Sequence, residues 1–241
     1  DDSETTGVYN ENGYRYEGIN PNNYVNFNNE LWRIIGVFNS DTHGKTGENL
    51  VKIIRNDSIG NYAWDSGNVN NWNTSSLKTY LNNDYYNGLN QSSKNLIVSV
   101  TWKLGGYSDT STTANMAYTA ERGATVYSGR PTETSSYIGL MYPSDYGYAV
   151  LSSTCQRTKA LYDYDSSGCY NQNWLYKGAT EWTLTPNSSS SNSVWSVDSS
   201  GDVLNYNAYN GFVARPSLYL KSNTIKISGE GTSTNPYIIG E

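Results

Sequence analysis

Frequent breaks rule out a chain built on long helices. Short runs mixing β-branched and aromatic residues occur at Tyr24 to Phe27, Leu31 to Phe38, Leu50 to Arg55, Tyr137 to Tyr142, Tyr148 to Leu151, Glu181 to Leu184, Val194 to Val197, Phe212 to Leu220 and Thr224 to Ile227. Most are bounded by Gly, Asn, Asp or Ser. This is the signature of strands separated by turns, and the residues therefore read as a mainly β protein. One segment departs from the pattern. From Ser75 to Gly88, Leu77, Tyr80, Leu81 and Asp84/Tyr85 recur at helical spacing; Ser75 or Ser76 can cap the start, and Asn87-Gly88 can end the helix through a left-handed residue. A second short helix over Ser92 to Val100 competes with a strand, because Ile97, Val98 and Val100 suit either.

No fixed-period repeat divides the 241 residues, and we read them as one domain, 1–241. The stretch 105–136 is rich in Ser, Thr, Gly and Ala and reads as a surface insertion, since core-like strands resume after it. Asn187 to Ser193 (NSSSSNS) reads as a flexible loop tip between two Trp-bearing strands. The last residues, 221–241, read as a closing β-hairpin, with Gly229 and Gly231 free to take positive φ and Tyr237 and Ile239 returning one apolar face to the sheet.

The 23 Tyr and 7 Trp against 3 Phe mean that much of the apolar surface comes from rings with a polar edge, suited to half-wet positions as well as to a core. The net charge of −6 and pI near 4.8 leave no basic stripe for a phosphate backbone, which argues against nucleic acid as a partner. No apolar run approaches the roughly 20 residues of a membrane-spanning helix. The polar opening DDSETTG reads as a mature or trimmed start, with a removed leader or anchor left open.

The two cysteines, Cys155 and Cys169, flank a short polar loop. A disulfide there would remove about 3 kcal/mol of unfolded-chain entropy and would imply export. Two buried thiols are the rival reading.

Familiar catalytic arrangements are missing. His43, the single histidine, lies in DTHGKTG and reads as a solvated loop residue, with no G-x-S-x-G to complete a hydrolytic set. Gly44-Lys45-Thr46 lacks the earlier glycine and the following helix of a phosphate-binding loop. Asp163 to Gly168 resembles the front half of a calcium loop, but Trp174 stands where the closing Glu belongs, which favours a turn over a weak calcium site and leaves the metal question open. Asp198 to Asp202 reads as a hairpin turn. Glu133 with Asp145 or Glu181 offers paired carboxylates without a diagnostic spacing. We expect no enzyme activity and no cofactor.

The ordered series LWRIIGV (31–37), Trp72 followed by SSLKTYLNN (75–83), IGLMYPSDY (138–146), NWLY (173–176), EWTL (181–184) and ARPSLYL (214–220) resembles the C-type-lectin-like domains, of the branch shared with formylglycine-generating enzyme, found on bacterial surface and type IV pilin-like proteins. The resemblance covers roughly residues 7 to 239. It implies an α+β fold: twisted antiparallel sheets, one or two helices and long irregular loops that carry a ligand surface. The Glu-Pro-Asn or Gln-Pro-Asp triplet of calcium-dependent sugar binding is missing, as is a copper-site cysteine pair, so neither property carries over. Some relatives are diversified at exposed Asn, Tyr and Ser near the C-terminus. Tyr206, Asn207, Tyr209 and Asn210 look like such positions, although an Asn- and Tyr-rich composition explains them equally well.

These features point to a secreted, non-enzymatic, adhesin-like module at a bacterial surface. Its partner would be a host or bacterial surface protein or a glycan, met by loops that present Trp174, Tyr176, Trp195, Tyr206, Asn207, Tyr209 and Asn210. Tyr and Trp bring contact area at low entropy cost and Asn adapts its hydrogen bonds. Core packing is the competing role for each Trp and the favoured one for Trp182 and Trp195, which sit in strand patterns. The alternative reading is the globular head of a type IV pilin or pseudopilin, with neighbouring pilus subunits as partners. Arg215-Pro216 is expected to open the last core strand, with Arg215 capping nearby carboxylates or carbonyls.

Overall fold

The structure is a computed structural model describing residues 6–153 and 155–241, so residues 1–5 of the polar opening lie outside it. The first eight strands are β1 (Thr6–Asn10), β2 (Tyr14–Gly18), β3 (Tyr24–Phe27), β4 (Glu30–Phe38), β5 (Leu50–Arg55), β6 (Asn61–Ala63), β7 (Val100–Lys103) and β8 (Glu133–Ser136). They are followed by β9 (Ile138–Gly139), β10 (Glu181–Pro186), β11 (Ser193–Val197), β12 (Val203–Asn207), β13 (Gly211–Val213), β14 (Ser217–Tyr219), β15 (Ile225–Ser228) and β16 (Tyr237–Gly240). A nine-stranded sheet runs β15-β16-β3-β4-β5-β14-β9, with β1 and β2 branching from β4; a five-stranded sheet runs β12-β11-β10-β13-β6; β7 and β8 pair by themselves. With six short α-helical segments among the described residues, the fold is mixed α+β; the sheets are not purely antiparallel as expected, because β16 joins β3, and β10 joins β13, in parallel.

The branch at β4 has a local cause. Over its first half β4 pairs with β3, Tyr24 opposite Arg33; past a register shift between Ile34 and Gly36 it pairs with β2, Tyr14 opposite Val37. A Cβ on Gly36 would stand 2.3 Å from the Tyr14 carbonyl oxygen, so only glycine lets β2 approach there.

The expected helix begins as read, with the Ser75 side chain accepting from the Lys78 amide. It runs from α2 (Ser76–Tyr80) through a π turn (Leu81–Tyr85) into α3 (Tyr86–Gly88). The left-handed ending does not occur: the chain leaves through extended Leu89. The competition over Ser92 to Val100 is resolved by division, with α4 (Gln91–Leu96) first and β7 from Val100.

Two strand readings fail at one place. Tyr137 to Tyr142 keeps only the two residues of β9, and of Tyr148 to Leu151 the first residue ends α6 (Pro143–Tyr148), whose six residues are all buried, while Val150 keeps an isolated bridge to Asn173. Pro143 at the first helical position, with the Asp145 carboxylate accepting from the Tyr142 amide, starts this helix. The stretch 105–136 is not confined to the surface. It contains α5 (Ala114–Glu121), with Ala114, Ala117 and Glu121 buried, and Tyr107 stacks on Trp195 with ring centroids 4.5 Å apart. The tract from Asn187 to Ser193 is tied down by the Asn70 carboxamide, which donates to the carbonyls of Asn187, Ser190 and Ser193. His43 ends α1 (Ser40–His43) and is fully buried, with Nε2 against the Phe38 carbonyl at 3.0 Å; burial lowers its pKa and opposes charging. The solvated-loop reading of His43 is therefore wrong, because its ring packs edge-on to Tyr219 beneath the sheet.

Cys155 and Cys169 form a disulfide with Cα atoms 5.4 Å apart. Among the described residues, no helix is long and apolar enough to cross a membrane. A disulfide in such a chain fits an extracellular setting.

A buried ionic cluster joins the buried helix to the large sheet. Asp145 in α6 accepts from Arg15 of β2 at 2.9 Å and from Lys52 of β5 at 2.6 Å, and all three side chains are essentially inaccessible. The Arg15 guanidinium lies over Phe38 and Tyr148, and the Lys52 ammonium over Tyr142. Burial alone would raise the Asp145 carboxyl, but Lys52 and Arg15 reverse that and hold its pKa at about 2. A carboxyl held below its unfolded value of about 3.9 stabilises the fold above that pH, and the contribution is lost as pH falls from about 4 through 2. Asp145→Asn leaves two buried cations without their counter-charge and is expected to cost about 3–5 kcal/mol in urea unfolding at neutral pH. The wild-type protein should lose stability between about pH 4 and pH 2, and the variant should lose less over that interval.

Candidate functional site

Strand alternation puts a set of aromatic side chains on one face of the five-stranded sheet. Phe212 of β13 stands directly opposite Tyr62 of β6, and the parallel pairing of Glu181 with Val213 puts Trp182 on the Phe212 side. The pairing of Tyr206 with Val194, and of Trp182 with Ser196 two residues further along β11, adds Tyr206 to that face. The rings meet. Tyr206 is edge-on to Phe212 at 5.0 Å, Trp182 lies 4.8 Å from Phe212, and Tyr62 is stacked at 4.9 Å on Tyr80 of α2. Trp182 is the buried floor, its indole N–H donating to the Tyr62 carbonyl at 2.8 Å, whereas Tyr206, Phe212, Tyr62 and Tyr80 are half-buried.

One end of this row is fixed by the β11–β12 turn. The Tyr206 hydroxyl donates to Asp198 at 2.7 Å, and its pKa is pushed up to about 12 by burial and by that carboxylate. Burial would raise Asp198, yet hydrogen bonds from Ser200, Tyr206 and Thr180 lower it, so it remains a charged acceptor. Beyond Tyr206 the chain turns sharply into β13. Ala208, fully buried, pins the turn: its amide donates to the Asn192 carbonyl and its carbonyl accepts from the Asp65 amide. Tyr209 projects from this anchored turn and is 55% exposed, beside half-exposed Asn207 and Asn210.

The base of the turn is held by the Arg215-Pro216 junction. Arg215 donates to Glu181 at 2.7 Å and to the Leu175 carbonyl at 2.8 Å, which pins the link between β13 in one sheet and β14 in the other to β10. Both charged side chains are buried. The pair lies on the face of β10 opposite Trp182, behind the aromatic row.

The candidate binding residues therefore divide. Tyr206, Asn207, Tyr209 and Asn210 come together at the row and its turn. Tyr176 is half-exposed, edge-on to Tyr170, and its hydroxyl donates to the Ser199 carbonyl, so it props the turn that holds Tyr206. Trp174 and Trp195 are not displayed. Trp174 donates to the Tyr16 carbonyl beneath the Arg33 guanidinium, and Trp195 donates to the Tyr107 carbonyl under the Tyr107 ring. All seven tryptophans are at most 2% exposed, so large ring area has gone to the core and only tyrosine and phenylalanine remain at the surface.

Sequence reasoning missed Tyr62, Tyr80, Phe212 and Asp198 as members of one site. Tyr62 sits in a three-residue strand with no alternation to read, and only the pairing of β6 with β13 brings it to Phe212. Asp163 and Asp165, weighed as calcium ligands, belong to a turn in which Ser166 donates to the Asp163 carbonyl and the Asp165 amide donates to Asp202. Among the described residues no group of three or more His, Cys, Asp or Glu side chains is placed to hold a metal ion.

Residues 48–222 match the domain of unknown function DUF6273, and the chain belongs to that family. The matched part includes the whole aromatic row, the disulfide and the Arg215-Pro216 junction. No curated protein and no solved structure matches the chain.

The division between buried and displayed rings has a direct consequence for stability. Trp195→Ala empties a fully packed position and is expected to cost about 3–5 kcal/mol. Tyr209→Ala removes an exposed ring and is expected to stay within about 0.5 kcal/mol. Paired urea denaturation curves, with slope as well as midpoint, measure both.

Proposed function

We propose that this member of the family is an extracellular, adhesin-like binding module that engages a partner protein through the Tyr206–Phe212–Tyr62–Tyr80 row and the adjoining turn. One observation carries the reading: half-exposed Tyr206, Phe212 and Tyr62 share a sheet face, and the turn after Tyr206, anchored by buried Ala208, carries the exposed Tyr209. An anchored turn has little conformational entropy left to lose on binding. Tyr and Asn then supply ring contact and adaptable hydrogen bonds. The disulfide supports the extracellular setting. The combination of twisted, mainly antiparallel sheets, short helices and a long course between β9 and β10 supports a C-type-lectin-like fold, although each of the two larger sheets also carries one parallel pair. The buried tryptophans narrow the contact surface to Tyr206, Asn207, Tyr209 and Asn210, with Tyr176 in a supporting position.

The domain, immobilised and tested against an array of extracellular host and bacterial proteins, is expected to bind at least one partner. Tyr209→Ala and Tyr206→Ala should each weaken that interaction by about tenfold or more while the protein remains folded. Retained binding in both variants would remove the row from the interface.

A structural role as the head of a pilin-like subunit draws on a different surface. β15 is an edge strand, and Ile225 and Ile227 are 57% and 63% exposed next to Ile238. A single lysine, Lys226, and a register irregularity between Lys226 and Ser228 blunt the edge only partly. Under this reading, concentration-dependent assembly measured by analytical ultracentrifugation should vanish in Ile225→Lys/Ile227→Lys; a wild-type protein that stays monomeric at every concentration contradicts it.

A further inference from the structure

Two segments far apart in the chain bring a second pair of tyrosine rings together outside the aromatic row. Tyr86, at the start of α3, and Tyr137, between β8 and β9, stack with ring centroids 4.5 Å apart and planes 14° from parallel. Ser136 and Ile138 on either side of Tyr137 are buried, so strand alternation turns the Tyr137 ring outward. Tyr137 is 37% exposed and Tyr86 is half-buried.

The stack is held by contacts other than its own. The Asn82 carboxamide, in the π turn before Tyr86, accepts from the Ile138 amide at 3.0 Å and donates to the Ile138 carbonyl at 2.9 Å. Lys78, one turn earlier, donates to the Thr134 hydroxyl at 3.1 Å. The helix and the link from β8 to β9 are therefore clamped together beside the rings. Burial raises the Tyr86 pKa and the neighbouring Tyr137 hydroxyl adds to it, so the two phenol oxygens lie on the same side of the stack. On near-parallel rings that alignment sets the ortho carbons of one phenol against those of the other.

We propose that Tyr86 and Tyr137 form a site of oxidative cross-linking, joined ortho to ortho as a dityrosine by hydrogen peroxide with a haem peroxidase as the one-electron oxidant. Each phenol gives up one electron and one proton, which leaves two phenoxyl radicals and reduces the peroxide to two waters. The radicals pair in one carbon–carbon bond. The hydrogen on each joined carbon then moves to its own oxygen, both rings become aromatic again, and the product lacks two hydrogen atoms. Competing rings are placed less well: all seven tryptophans are enclosed, Tyr146 and Tyr164 are fully buried, and Tyr170 meets Tyr176 edge-on at 76°. Exported chains work in oxidising surroundings. The bond fastens the helix to the edge of the nine-stranded sheet, where β9 is the last strand. The pair shares no residue with the aromatic row, so it stands or falls independently of the partner-protein reading.

The test is treatment of the intact chain, at high dilution, with hydrogen peroxide and a haem peroxidase. The monomer is then isolated, its dityrosine fluorescence is measured, and its peptides are mapped by mass spectrometry. The peptides carrying Tyr86 and Tyr137 should be found joined and lighter than their sum by two hydrogen atoms. Tyr86→Phe and Tyr137→Phe keep a ring in the stack but cannot form a phenoxyl radical, and each should lose most of the monomer's dityrosine fluorescence. Tyr62→Phe, which disables the stacked pair in the aromatic row, should leave the yield of the joined peptide unchanged. The proposal is overturned if the treated monomer carries no dityrosine, if its dityrosine maps to Tyr62 and Tyr80 or to any other pair instead, or if either stack variant keeps the wild-type fluorescence.

Discussion

Asp145 is the point on which the architecture turns. Its carboxylate lies in a helix whose every residue is buried, and it is tolerated there because Arg15, Lys52 and the Tyr142 amide all donate to it. Those donors come from β2, from β5 and from the start of α6 itself, so a single acceptor sets how the helix lies against the large sheet. The next carboxylate, Glu121 at the end of α5, accepts from both the Ser144 amide and hydroxyl and from Arg122. This draws the stretch 105–136 inward although its composition suggests a surface. The C-terminal carbonyls of α6 are satisfied in the same manner, by Asn173 on Tyr146 and by Tyr164 and Arg157 on Gly147.

From that centre the constraint passes to the smaller sheet. Tyr146 donates to the Gly201 carbonyl in the turn whose Asp198 receives Tyr206, and Arg215 clamps the link from β13 to β14 onto Glu181. The display surface is therefore the outermost layer of a polar scaffold. Its rings can stay half-exposed because core packing has already been met by all seven tryptophans.

Local physics made much of this legible in the chain. Ser75 is a cap because a serine before Leu77 and Leu81 can accept from the first free amides, and the Asp198 to Asp202 turn closes because Gly201 can take φ of 102°. Arg215-Pro216 opens a strand because proline fixes φ and lacks a donor. The closing hairpin has the same character. Gly229 and Gly231 take positive φ, and Tyr237 and Ile239 pack on the core while Ile225 and Ile227 do not.

What residues alone determined, then, are features decided within a few positions: strand runs, caps, turns, and two cysteines near enough to bond. Tertiary structure decided which ring faces water. Trp174 could be read for display as well as for the core, and Trp195 leaned to the core only through its strand pattern, because an aromatic residue beside a turn has the same local pattern in either role. Burial depends on what a distant segment brings over it, Arg33 above Trp174 and Tyr107 above Trp195. The same reason hid Tyr62 from Phe212 and drew His43 beneath Tyr219. Contacts between residues far apart in the chain carry no trace in the spacing of either partner; they arise only when the sheets have closed around Asp145.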